Sequence, residues 1–239
     1  MTYQKSNARS AFEAEIQTIC GNLQLVEVTP AIPSAIRDYS IAAAIFLAHA
    51  EIENFFNDLL EEVARGFSLP ILTASNLPSA LQAHLIYEKF GLDQFAVRIL
   101  RKTGEQENSQ AIARWFSSPY RNLLDVSMPL GFQLCGDDLR GPYSYPSIDN
   151  VIKVLKRLGI GDPRGKLNAE LNRDVLGLLK SLSDLRTQLA HSAQLPGVSV
   201  GDVIQRLNDS SAFVEAFDKL IYATVTACIS HAEWISLAC

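Results

Sequence analysis

Two residues near the end of a long apolar stretch have side chains that could carry out chemistry on a ribose phosphate. Arg186 and His191 lie five positions apart in SDLRTQLAHS. Arginine is always charged and presents a fork of N–H donors that fits a phosphate, and histidine exchanges a proton near neutral pH. Without a metal ion, the imidazole could deprotonate a ribose 2′-hydroxyl for attack on the adjacent phosphate, while the guanidinium offsets charge on the phosphoryl oxygens.

The spacing of this pair restricts how it could act. On an ideal α-helix, five residues at about 100° each place the Arg186 and His191 side chains about 140° apart. Both side chains would reach one substrate only if the helix loosens before His191, or if a second copy of the chain completes the site. The ordinary alternative is a solvated helix end, where the helix dipole favours a cation at His191.

Helical periodicity dominates the sequence that must position the pair. We expect helices at residues 8–23, 34–64, 79–90, 108–116, 148–158, 167–191 and 200–236. The segments LVEVTPAIP and SMPLGFQLCGDDLRGPYSYP are expected to be mostly loop, because proline and glycine interrupt regular structure. Ser147 and Ser199 are expected to cap the helices that follow them, and Gly159 is expected to end the first of these helices.

These elements predict an all-α fold, a helical bundle of long antiparallel helices with an irregular helical insertion at about 67–146. We expect a single domain over residues 1–239, since 48% hydrophobic and 20% charged residues are typical of a globular protein with a sizeable core. The helices at 34–64 and 200–236 are expected to pack against the helix that ends at His191.

The first long helix is expected to bury one apolar stripe. We assign Phe46, Ala50 and Phe55 to the core from their spacing. Glu53 is then expected at the edge of the core or at an interface, and His49 on the solvent face, because charged side chains are seldom buried without a partner.

Several classes of site are excluded by their missing motifs. The chain has no glycine-rich phosphate loop, no H-E-x-x-H and no G-x-S-x-G. The spacings of the four cysteines suit neither a zinc site nor a disulfide framework, so we expect reduced thiols, no metal and no cofactor. These cysteines are Cys20, Cys135, Cys228 and Cys239.

We expect a cytoplasmic protein with no membrane partner. The first residues, MTYQKSNARSAFEAE, contain no apolar signal core. The most apolar run, YSIAAAIFLAHA, is followed at once by Glu51, before it reaches the roughly 20 residues that span a bilayer.

The distribution of charge allows only a local contact with nucleic acid. The net charge of −5 excludes a generally basic coat protein. Residues 151–191 nevertheless hold eight Lys or Arg and four acids, a local net charge of +4. This segment fits either a local RNA footprint or a solvated helix face.

Three stretches together resemble HEPN domains, among them the prokaryotic RiboL-PSP-HEPN-like group. IFLAHAEIENFFNDLL places Glu53 before an aromatic residue, and SIDNVIKVLKRLGI is a helix that ends before the motif helix. LSDLRTQLAHS is similar to the family's motif of Arg, four to six residues and His. Their order covers most of residues 34–230, and 67–146 has no counterpart.

The resemblance implies a helical homodimer with two Arg…His motifs meeting in a cleft. It further implies metal-independent endoribonuclease activity on RNA, often in a toxin or antiviral effector, which leaves room for a neutralising antitoxin protein. Arg186 would hold the scissile phosphate, His191 would act as acid or base, and Glu53 would orient one of them. Thr187 stands where the family commonly has Asn, and its hydroxyl can still donate a hydrogen bond in support.

Two other functions fit the same residues. One is a non-catalytic HEPN dimer that binds RNA, a nucleotide or a partner protein. The other is a plain structural helical protein in which Arg186 and His191 are surface residues.

Overall fold

The computed structural model describes residues 2–92, 96, 104–142, 146–192 and 197–237, and this part of the chain is all-α, as the sequence predicts. Its α-helices are α1 (Asn7–Val28), α2 (Ser34–Phe67), α3 (Ser79–Lys89), α4 (Glu105–Phe116), α5 (Gly136–Arg140), α6 (Ile148–Arg157), α7 (Pro163–Leu171), α8 (Val175–Ser192), α9 (Val200–Val225) and α10 (His231–Leu237). No helix in these ranges is long and apolar enough to cross a membrane.

The four longest helices, α1, α2, α8 and α9, pack around an apolar core. Helix α2 contacts the other three, and α9 contacts both α1 and α8. Aromatic rings link the layers: Phe55 of α2 lies 5.9 Å from Phe12 of α1 and 6.1 Å from Phe217 of α9, measured between ring centroids. The predicted packing of the two long helices against the helix that ends at His191 is therefore confirmed.

The buried face of α2 differs from the predicted stripe. Phe55 is buried as predicted, but Phe46 is 43% exposed and Ala50 is exposed, so their assignment to the core was wrong. Ile45 and Ile52 are fully buried instead. Ile45 and Phe46 are adjacent and both apolar, so periodicity alone does not determine which of them is buried. The packing of α8 and α9 against α2 determines it.

Helix α1 is longer than predicted. It continues to Val28, so the first four residues of the predicted loop LVEVTPAIP are helical. Thr29 then turns to extended backbone (φ −97°, ψ 101°) directly before Pro30. This end follows from the clash that disfavours helical backbone in the residue before a proline.

The predicted helix at 167–191 is two helices, α7 and α8. Asn172 adopts a left-handed conformation (φ 52°) and ends α7. Asp162 caps the start of α7, where its side chain accepts a hydrogen bond from the Gly165 N–H at 3.1 Å and Pro163 follows at the first helical position. Asn tolerates the left-handed region better than most residues, which explains the break.

The predicted helix at 200–236 is also two helices, α9 and α10. Ser230 starts α10 through a reciprocal cap, in which the Glu233 N–H donates to Ser230 Oγ and the Ser230 N–H donates to Glu233 Oε2. The break lets Trp234 become fully buried. Its Nε1–H donates to the Gln4 carbonyl at 3.3 Å, which ties α10 to the N-terminal segment.

The remaining elements follow the predictions closely. The expected helices at 79–90 and 108–116 are α3 and α4, and the loop at 127–146 contains only the short α5 in its described part. Ser147 and Ser199 cap α6 and α9, and Gly159 has a φ of 86° just after α6. The single domain and the insertion at 67–146 stay predictions, and Cys239 lies outside the described residues.

Two buried carboxyl groups hold the start of α1. The Ala8 N–H donates to Glu62 Oε1 at 2.8 Å, and the Tyr3 hydroxyl and the Ser6 N–H both donate to Asp218. Glu62 Oε2 and Asp218 Oδ1 are buried without a hydrogen-bond partner in the described part of the chain. Burial raises the pKa of Glu62 to about 7 and also raises that of Asp218.

Candidate functional site

Helix α8 presents Arg186 at the edge of its buried face, toward α2. Leu182, Leu185 and Leu189 anchor the inner face, because all three are buried in the core. Arg186 and His191 are both exposed. The local sequence therefore produces an amphipathic helix, with Arg186 beside the buried face and His191 on the opposite, exposed side.

Helix α8 is continuous from Val175 to Ser192. It does not loosen before His191, so the regular helical twist separates the Arg186 and His191 side chains by about 140°. Of the two arrangements that the sequence allows for a joint site, only the one that uses a second copy of the chain fits this helix.

Arg186 lies over the aromatic ring of Phe46 on α2. Its guanidinium carbon is 5.9 Å from the ring centroid, within the range of a cation–π contact. Among the described residues, Arg186 forms no ion pair with a carboxylate. Within the described part of the chain, no carboxylate therefore offsets the Arg186 charge, and the exposed side chain can meet an anion from solution.

His49 is a second side chain beside Arg186, and the sequence predicts it on the solvent face without a role. It follows Phe46 by about one turn of α2 and is half-buried. Burial first, and the Arg186 charge second, lower the pKa of His49 to about 4. His49 is therefore neutral at physiological pH, whereas the neighbouring Arg186 is charged.

Glu53 is half-buried on α2, at the edge of the core where the sequence placed it. Within the described residues it makes neither an ion pair nor a hydrogen bond with Arg186 or His191 of the same copy. The Thr187 hydroxyl donates to the Ser183 carbonyl at 2.8 Å, one turn back along α8. The supporting roles of Glu53 and Thr187 stay predictions.

Part of the basic segment 151–191 is paired among the described residues. Arg157 donates to the Leu139 carbonyl at 3.1 Å, which fixes it against α5. Three other cations form ion pairs with carboxylates: Arg164 with Asp174, Arg173 with Asp209, and Lys180 with Asp184. Three of the eight cations are thus balanced by carboxylates within the described residues, and Arg186 is distinguished by its contact with the Phe46 ring.

An exposed apolar stripe runs along α2 beside Arg186. The α2 apolar stripe consists of Ile36, Tyr39, Phe46 and Leu47, which are 43–76% exposed and share one face of the helix. A groove of about 190 Å³ between α1 and α2 adjoins the stripe at Leu47. Contiguous exposed apolar surface of this kind marks interaction sites.

A polar cleft of about 560 Å³ lies between α3 and α5. Lys89 pairs with Asp138 there, and Arg140 bonds to Asp137 and to Asn57. The cations of this cleft are thus already neutralised or hydrogen-bonded, which makes it a poorer anion site than Arg186. No motif in the sequence indicated this cleft, because it forms between segments that are about 50 residues apart.

Comparison with protein-family models gives no match to this chain, and no curated protein and no solved structure matches it.

Proposed function

We propose that this chain is a metal-independent endoribonuclease of the HEPN type that acts on RNA as a cytoplasmic homodimer. The observation that carries the proposal is the state of Arg186. It is exposed and lies over Phe46, without a carboxylate partner among the described residues. An arginine in this state offers its full charge and donor fork to a phosphate.

The proposed reaction uses the 2′-hydroxyl of the RNA as nucleophile. His191 accepts the proton of the 2′-hydroxyl as its oxygen attacks phosphorus, and the bond from phosphorus to the 5′-oxygen breaks. The departing 5′-oxygen takes a proton from water, and His191 then releases its proton to solvent, which leaves a 2′,3′-cyclic phosphate and a 5′-hydroxyl end. Arg186 stabilises the negative charge that builds on the phosphoryl oxygens.

The geometry of α8 supports a composite site. Because Arg186 and His191 diverge by about 140° on a continuous helix, we propose that Arg186 of one copy works with His191 of the other. The α2 apolar stripe beside Arg186 supports association of two copies at this face, since burying exposed apolar surface drives association.

Cleavage of RNA by purified protein in EDTA tests the proposal. We expect products with 2′,3′-cyclic phosphate ends, and His191→Ala should lower the rate by about 100-fold or more, as loss of an acid–base group does. Lys180→Ala is the matched control, because Lys180 is an exposed cation of α8 that is paired with Asp184. Cleavage that persists in His191→Ala would overturn the assignment.

The biological role that we propose is that of a toxin or antiviral effector restrained by an antitoxin protein. Expression of the wild-type chain in bacterial cells should slow growth, and expression of His191→Ala at the same level should not. If the wild type and His191→Ala inhibit growth equally, the toxicity does not come from RNA cleavage.

A non-catalytic HEPN dimer is the alternative function. The grouping of Arg186, Phe46 and neutral His49 in one copy favours it, because this group can bind an anion without His191. In that case wild-type protein should bind single-stranded RNA and leave it intact, and Arg186→Ala should weaken binding. Specific cleavage by the wild type would exclude this alternative.

A further inference from the structure

We propose that Phe46 is the positioning residue of Arg186, and that its ring takes the role that the sequence assigned to Glu53. The inference rests on the proposed function only in that it names phosphate as the anion for Arg186. The contact between the guanidinium and the ring can be tested whether or not the protein cuts RNA.

The two side chains project from well-anchored helices. Phe46 follows Ile45, which is fully buried in the core, and Arg186 follows Leu185, which is also buried. Helices α2 and α8 pack against each other, so the 5.9 Å between ring and guanidinium spans an established helix–helix contact. The ring is itself partly exposed, which leaves the guanidinium at the surface.

An aromatic ring and a carboxylate would position Arg186 with different consequences. A carboxylate would offset the charge of the guanidinium and take up one or more of its N–H donors, as Asp137 takes the Nη2 donor of Arg140. The ring face attracts the cation through its quadrupole and takes up none of the N–H donors. Arg186 held by Phe46 therefore keeps both charge and donors for a phosphate, which an arginine held by Glu53 would not.

His49 provides a reporter for the position of Arg186. The Arg186 charge acts on the His49 imidazole, and its field adds to the effect of burial in keeping the His49 pKa near 4. If the guanidinium moves away, the field weakens and the His49 pKa rises part of the way toward its ordinary value. This readout does not depend on any substrate.

The experiment is an NMR titration of His49 in the full chain. Arg186→Gln removes the field and should raise the His49 pKa. Phe46→Leu keeps apolar cover and removes the π face, so it should raise the pKa in the same direction. Phe46→Tyr keeps the ring and should leave the pKa at the wild-type value. The double variant Phe46→Leu/Arg186→Gln should match Arg186→Gln alone, because Phe46 acts through Arg186.

Binding of a single-stranded oligonucleotide made of 2′-deoxyribonucleotides, which cannot be cleaved by 2′-hydroxyl attack, supplies the functional readout. Phe46→Leu should weaken binding about two- to fivefold, the range that corresponds to one exposed cation–π contact. Phe46→Tyr, which keeps the ring, should bind as the wild type does. Far-UV circular dichroism checks that each variant is folded.

The outcomes separate the two proposals. A His49 pKa that is unchanged in Phe46→Leu but raised in Arg186→Gln would overturn the positioning role of Phe46. A shift of the same size from Phe46→Leu in the Arg186→Gln background would also overturn it, since burial alone would then explain the shift. If the titrations behave as expected while wild-type protein neither binds nor cuts RNA, the proposed function fails and the role of Phe46 stands.

Discussion

Arg186 and His191 occupy different sides of α8, about 140° apart on a helix that stays regular through both residues. A single copy therefore presents the arginine toward α2 and Phe46, and the histidine elsewhere. Chemistry that needs both residues requires two copies, whereas anion binding needs only the surroundings of Arg186.

Thr187→Ala should have little effect on RNA cleavage. The Thr187 hydroxyl donates to the Ser183 carbonyl of its own helix, so it has no free proton to offer a phosphate. We expect the cleavage rate to change by less than about threefold and the free energy of unfolding by about 0.5 kcal/mol or less, as for most surface substitutions. A loss of cleavage comparable to that of His191→Ala would show instead that the hydroxyl turns toward the substrate.

Glu62→Gln should change how the stability of the protein depends on pH. Between about pH 4.5 and 7, folded Glu62 keeps a proton that the unfolded chain has released. The folded state thus binds more protons, and this group's contribution to the free energy of unfolding falls as pH rises. From pH 5 to 7.5, Glu62→Gln should therefore gain stability relative to wild type by about 1–3 kcal/mol, measured by urea unfolding. A difference that does not vary with pH would show that Glu62 is ionised in the fold.

His49→Gln is the companion test, because the contribution of His49 to stability changes with pH in the opposite direction from that of Glu62. Its folded pKa of about 4 is lower than its ordinary value, so the unfolded chain binds more protons in the range between them. The contribution of His49 to stability therefore rises with pH over that range. Relative to wild type, His49→Gln should be more stable at pH 5 than at pH 7.5, which is the reverse of the trend for Glu62→Gln. Identical pH trends for the two variants would contradict this interpretation of both sites.

Trp234→Ala should release α10 from the bundle. Trp234 is fully buried and donates to the Gln4 carbonyl, so the substitution leaves a cavity and an unpaired carbonyl. We expect a loss of about 3–5 kcal/mol in the free energy of unfolding, and a smaller loss for Trp234→Phe, which retains most of the apolar surface. A loss below about 1 kcal/mol for Trp234→Ala would mean that α10 is not part of the cooperative core.

The positions of caps and prolines explain which parts of the fold could be predicted from the sequence. Ser147 and Ser199 are followed at once by helical residues, and both cap as expected. Asn172 ends a helix and Ser230 caps the start of one, but the apolar periodicity of the sequence continues through both positions. That periodicity predicts one long helix where the structure has two. Apolar periodicity therefore predicts where the helices lie, whereas capping residues and prolines determine where they begin and end.

The surroundings of Arg186 could not be predicted from the sequence. Phe46 and His49 are about 140 residues away along the chain, and only the packing of α2 against α8 brings them to Arg186. Periodicity placed Phe46 in the core because its neighbours on α2 are equally apolar. The choice between Ile45 and Phe46 as the buried residue is made by the tertiary contacts of α2.

Complementation between two inactive variants tests the composite site most directly. Arg186→Ala and His191→Ala are each inactive as homodimers in this account, but a heterodimer of the two holds one intact site, with Arg186 from one copy and His191 from the other. Mixing equal amounts under conditions of subunit exchange should restore about a quarter of wild-type RNA cleavage, because about half of the dimers are then mixed and each has one of two sites. A mixture no more active than the separate variants, beside active wild-type protein, would contradict the composite site.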